Sequence, residues 1–155
     1  MSSQATLGGV HISEPRFSVP TQPDRERRKR ILAALGLPSP RVAGRQPNLR
    51  VDEETLTRYF DYLAARLELP FVVYYPPPSR AAGHLRSGAA ADRCEVIELL
   101  DPRTDLCDEI DGLYCRTRKG KFIVNLPLVE LTVLPPSKNL ELLGDYEYWF
   151  WHWRD

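Results

Sequence analysis

The residues best placed to do chemistry are six carboxylates between positions 98 and 111: Glu98, Asp101, Asp105, Asp108, Glu109 and Asp111. A single cation, Arg103, stands among them. Crowding like charges into one turn raises carboxylate pKa values and costs stability unless a cation neutralises them. Calcium suits such a turn, because it takes six to eight oxygen ligands in flexible geometry, at about 2.3–2.6 Å. Magnesium demands tighter octahedral order and keeps several waters. Gly112 would let the chain turn sharply on leaving the acidic stretch. The spacing does not match the EF-hand loop. On composition alone, an acidic loop is more often solvated surface than a metal site.

Other chemistries have less support. There is no G-x-S-x-G, no phosphate-cradling glycine loop and no H-E-x-x-H. Paired carboxylates can act as acid and base in glycoside hydrolysis, but here they lie on one loop, and a non-enzyme is expected. Cys94, Cys107 and Cys115 are odd in number and form no C-x-x-C pair. They read as reduced thiols that pack as small apolar groups. His84 and His152 have no zinc-like spacing to them.

The elements that must position the acidic turn follow from hydrophobic period and punctuation. Asp52 is a good N-cap, with Val51 before it and Leu56 placed for a hydrophobic staple. Leu56, Tyr59, Phe60, Leu63 and Leu67 then recur at helical spacing, and Leu69-Pro70 ends the helix. Phe71 to Tyr75 is β-branched and aromatic, a short strand cut by Pro76, Pro77 and Pro78, and residues 79 to 92 read as a loop. Strands follow over Cys94–Leu100 and Leu113–Arg118, with the acidic turn between them. Lys119-Gly120 makes a tight hairpin turn into a strand over Lys121–Leu126. Leu128 to Leu134 either resumes as strand or begins with a short helical turn. Ser137 is placed to cap a terminal helix with Leu142, Tyr146, Trp149 and Trp153 on one face. The fold class is α+β: a small curled antiparallel sheet or partly open barrel, flanked by an N-terminal helix and a C-terminal aromatic helix. Trp151, left off that apolar face, marks a surface for a protein partner or a second copy.

The chain holds 21 basic and 21 acidic residues, so no general attraction to nucleic acid or membrane is expected. The balance hides an asymmetry, since residues 1–50 carry nine Arg/Lys against three Asp/Glu, and the remainder is acidic. Residues 1–50 read as a basic, largely disordered leader with a short helix at 24–35, capped by Asp24 and closed by Gly36. The leader either folds back on the acidic surface of the domain at 51–155 or binds something anionic. No apolar run spans a bilayer and no secretory pattern opens the chain, so a cytoplasmic protein is expected.

Several segments stand in order along the chain: R-Y-F-D-Y-L-A-A-R-L-E-L-P-F (Arg58 to Phe71), V-I-E-L-L-D-P (Val96 to Pro102) and C-D-E-I-D-G (Cys107 to Gly112). The basic hairpin R-K-G-K, P-L-V-E-L (Pro127 to Leu131) and D-Y-E-Y-W (Asp145 to Trp149) complete the series. Taken in this order, over roughly residues 55 to 150, they resemble the CcbP-type calcium-binding proteins of cyanobacteria. The resemblance implies a compact α+β protein that binds calcium ion at the acidic stretch, in a buffering or signalling role. Carried across, the candidate metal ligands are Asp101, Asp105, Asp108, Glu109 and Asp111. The alternative is a metal-independent protein-interaction domain using the sheet and the C-terminal aromatic surface.

Overall fold

The computed structural model describes residues 22–37, 48–75, 92–105 and 107–154. Helix α1 (Gln22–Ala34) and helix α2 (Glu53–Arg66) precede strands β1 (Phe71–Tyr75), β2 (Asp92–Leu99), β3 (Cys107–Asp108), β4 (Gly112–Lys119) and β5 (Phe122–Pro127). A 3₁₀ turn (Leu128–Glu130) leads on to helix α3 (Leu140–Trp153). The expected α+β class is what forms, with an antiparallel sheet in the order β1-β2-β4-β3 and β5 paired to β4. Beyond the 3₁₀ turn, Thr132 bridges back to Tyr74 of β1, so the sheet curls toward closure without completing a barrel.

Local chemistry explains the element ends. The Asp52 carboxylate accepts from the Thr55 amide at 2.8 Å while the Thr55 hydroxyl accepts from the Asp52 amide at 2.9 Å, a reciprocal cap on α2. Helix α1 ends with the Gly36 amide on Ala33 O at 3.0 Å and the Leu37 amide on Leu32 O at 2.9 Å. That double bond pattern needs a left-handed residue, and Gly36 has φ +68°. Asp24 lies in the first turn of α1 rather than at its cap, because the helix begins two residues earlier. Likewise α3 begins at Leu140 with Asn139 as its N-cap, and the Ser137 hydroxyl accepts from the Asn139 amide from two residues outside.

Strand β2 carries a bulge between Val96 and Glu98. Strict alternation would send Glu95 and Glu98 to opposite faces, and the extra residue restores them to one. Both then reach cations on β4, Glu95 pairing with Arg118 and Glu98 with Arg116. Val96 and Leu99 turn inward, 0% and 8% exposed.

The core lies between the sheet and the three helices. Tyr59 of α2 sits 4.9 Å from Trp149 and 5.2 Å from Tyr146 by ring centroid, and all three are essentially buried. Ile31, Leu32 and Leu35 bring α1 into the same core. Asp145 of α3, only 3% exposed, accepts from Arg27 Nε at 3.1 Å and from Arg30 Nε at 2.6 Å. The part of the basic leader in view therefore folds back on the domain. Residues 1–21, 38–47 and 76–91 lie outside the described residues, and with them the disorder expected in the leader and nearly all of the loop expected at 79 to 92. Among the described residues no helix is long and apolar enough to cross a membrane.

Candidate metal centre

The acidic stretch is built as two consecutive turns. The first follows β2, where Leu100 is buried and its amide donates to Tyr114 O at 2.9 Å. The Asp101 carbonyl accepts from the amides of Thr104 at 3.1 Å and Asp105 at 2.8 Å, and its carboxylate accepts from the Arg103 amide at 2.9 Å. Arg103 reaches Asp101 at 3.2 Å and Asp61 of α2 at 2.6 Å, which ties the turn to that helix. The hydrogen bond to Asp61, with the nearby Asp101 charge, holds the Arg103 pKa above its ordinary value.

The second turn joins β3 to β4, with Cys107 opposite Leu113 and Asp108 opposite Gly112. Asp108 Oδ1 accepts from the amides of Ile110 at 3.0 Å and Asp111 at 2.6 Å. This is the side-chain turn that aspartate forms with its own backbone. Asp111 Oδ2 accepts from the Tyr114 hydroxyl at 2.8 Å. Burial, reinforced by that bond and by the Asp111 charge, pushes the Tyr114 phenol up to about 12. Gly112 has φ +74°, and a Cβ there would lie 2.5 Å from the Tyr146 hydroxyl oxygen. Only glycine meets both conditions.

The six carboxylates thus divide by partner. Glu98 is paired with Arg116, and Asp101 with Arg103. Among the described residues, Asp105, Asp108, Glu109 and Asp111 meet no basic side chain at ion-pair distance. Asp105, Asp108 and Glu109 are exposed, whereas Asp101 and Asp111 are half-buried. Asp108 and Glu109 line a cleft of about 510 Å³ with Leu56, Pro102, Cys107, Ile110 and Glu53. Glu53 was not singled out from sequence. It lies in the first turn of α2, and only the packing of that helix against the hairpin brings it here. Burial pushes the half-buried Cys107 thiol up to about 11, with the charges of Asp108 and Glu53 adding to the effect.

The donors available are hard carboxylate oxygens, the ligand type calcium takes. As they stand, no three His, Cys, Asp or Glu side chains among the described residues converge as a metal-ligand group. The turns bring Asp108 and Glu109 to one cleft and leave Asp101 with Arg103, so holding an ion needs side-chain rotation in the exposed turn. Among the described residues no zinc-type group forms either: Cys94 and Cys115 are buried in the sheet and His152 stacks on Tyr148 at 3.8 Å.

Comparison with known proteins adds family information. A family model for CcbP-type proteins, described as calcium binding, matches residues 48–150. No curated protein sequence matches the chain. The crystal structure of Anabaena CcbP is 20% identical and superposes with a TM-score of 0.53 over 85% of this chain and 93% of that one. A calcium-binding protein in the calcium-binding form is 17% identical, with a TM-score of 0.54 over 85% of this chain and 94% of that one. At these identities the two structures show the shared fold.

Proposed function

This chain belongs to the CcbP calcium-binding family, and we propose that it binds calcium through its acidic turn, with ligands drawn from Asp101, Asp105, Asp108, Glu109 and Asp111. The observation that carries the reading is the pair Asp108 and Glu109: adjacent carboxylates with no basic partner among the described residues, at the rim of a cleft of about 510 Å³. Uncompensated charge of this kind costs stability, and a divalent cation relieves it. Both backbone amides engage Asp108 through Oδ1, which leaves Oδ2 available for an ion. Asp105 and Glu109 are exposed and can rotate inward. Asp101 joins only by sharing its carboxylate with Arg103, and Asp111 by sharing with Tyr114.

The protein is read as a binding protein with a buffering or signalling role. Signalling requires two shapes with different calcium affinity. The Leu113 amide donates to the buried Tyr146 hydroxyl of α3 at 2.8 Å, and a hairpin anchored in this way favours buffering over a change of shape. Unfolding in urea, with calcium and with chelator, tests the binding. A ligand that binds only the folded chain adds about 2.7 kcal/mol at a hundredfold excess over Kd. A midpoint identical in millimolar calcium and in chelator would count against the proposal.

A further inference from the structure

We propose that Arg103 competes with calcium at the acidic turn: its guanidinium guards Asp101, and swings onto Asp61 of α2 as the ion takes that carboxylate. Competition of this kind rests on the calcium reading above and assigns the residue that sets the affinity of the site. The two grips of the guanidinium are unequal. Arg103 Nη2 donates to Asp61 Oδ2 at 2.6 Å, as short as a strong charge-assisted bond. Nη1 lies 3.2 Å from Asp101 Oδ1 and 3.4 Å from Asp101 Oδ2, a long contact divided between two oxygens. Asp101 is therefore the partner more easily given up. Until it is, calcium approaching either oxygen from that side meets a like charge.

The surroundings let the guanidinium move while the turn keeps its shape. The Arg103 amide donates to Asp101 Oδ1 at 2.9 Å, so the backbone still orients the carboxylate, and shares it, after the side chain has swung away. Helix α2 supplies the resting place. Beside Asp61 stands Phe60, whose ring centroid lies 6.0 Å from Arg103 Cζ, at the outer limit of cation–π attraction. The side chains of Arg103 and Asp61 are 46% and 58% exposed. Ion pairs this exposed are weak and screened, so a divalent ion held by several carboxylates displaces one of them. Pro102 lines the cleft that Asp108 and Glu109 share, which sets its neighbours Asp101 and Arg103 beside that cleft. A guanidinium does not lose its proton in the working range of pH, so its competition is present throughout. A merely structural tie between the turn and α2 has the opposite signature, since cutting it would weaken calcium binding.

Calorimetric titration of calcium into metal-stripped wild type, Arg103→Gln, Asp61→Asn and the double variant tests this, at low salt where exposed charges are least screened. Removing a unit charge beside a divalent ion is expected to make Arg103→Gln bind roughly fivefold tighter. Asp61→Asn takes away the second carboxylate and is expected to bind roughly threefold more weakly. In the Arg103→Gln background the same change at Asp61 is expected to have little effect. A carboxylate acting only through its distant charge would weaken both backgrounds alike. If wild type binds calcium and a folded Arg103→Gln chain binds no tighter, the calcium reading stands and competition by Arg103 is overturned. An Asp61→Asn effect equal in the two backgrounds overturns it too. Heat from Arg103→Gln with none from wild type supports competition, and heat from neither at millimolar calcium removes both readings.

Discussion

The Leu113 amide donates to the Tyr146 hydroxyl at 2.8 Å, a buried bond from the first strand residue after the acidic hairpin to the inner face of α3. Tyr146 is 1% exposed and packs against Tyr59, so the hairpin is anchored to the aromatic core rather than to solvent-facing structure. Gly112 lies against the same hydroxyl. The position of Asp108 and Glu109 beside α2 therefore depends on a contact between residues 33 positions apart.

Replacing Tyr146 with phenylalanine keeps the ring and removes the oxygen. The Leu113 amide is then buried without a partner, which costs about 1–3 kcal/mol. Urea denaturation of Tyr146→Phe should show a lower midpoint with an unchanged slope. Calcium affinity should fall with it, since the hairpin loses its tether. An unchanged midpoint would mean that the bond contributes nothing net.

Gly112→Ala faces both a left-handed φ and a Cβ 2.5 Å from the Tyr146 oxygen. Gly120→Ala, with φ +59° and nothing within 4 Å, faces the first problem alone. The second variant should lose about 1 kcal/mol. The first should lose clearly more, about 2–4 kcal/mol, because strain and overpacking combine. Equal losses would show that the hairpin simply shifts away from α3.

The helices, the cap of α2 and the close of α1 were legible because their signals are local, whereas Asp24 and Ser137 are not the N-caps expected of them. Asp52 with its reciprocal partner, the apolar period from Leu56 to Leu63, and Gly36 act within a few residues of themselves. The acidic turn was visible as charge, but its internal sorting was not. That Arg103 serves Asp101 and Asp61 together, or that a bulge at Ile97 sends Glu98 to Arg116, depends on neighbours across the sheet. Glu53 enters the cleft by the same kind of long-range packing. Asp145 gave no sign from its own surroundings that it would be buried, because its partners Arg27 and Arg30 lie more than a hundred residues away.

Asp145→Asn leaves Arg27 and Arg30 facing a neutral group in a largely buried site. Both arginines reach solvent, being 36% and 31% exposed at the side chain, which softens the loss. A cost of about 2 kcal/mol is expected, below the range for a fully buried pair. Protease sensitivity within α1 should rise at the same time. If α1 stays protected and the urea midpoint is unmoved, the ion pairs do not hold that helix.

The Cys107 thiol gives a pH-dependent readout. Its pKa is pushed up to about 11 from an ordinary value of 9.0, mainly by burial. The folded chain then holds a proton that the unfolded chain releases, so stability is full below pH 9 and declines as pH rises toward 11. The difference in thiolate absorbance against pH between wild type and Cys107→Ser follows this group. Calcium beside Asp108 adds positive charge and should draw the thiol pKa back down, and Asp108→Asn should abolish that shift. A thiol titration indifferent to calcium would place the ion elsewhere.

Calorimetric titration of calcium into metal-stripped protein, with Asp105→Asn/Asp108→Asn in parallel, tests the central claim most directly. Saturable heat is expected from the wild type, and a loss of most of it from a double variant that remains folded. No heat at millimolar calcium, or a double variant that binds as the wild type does, would contradict calcium binding at the acidic turn.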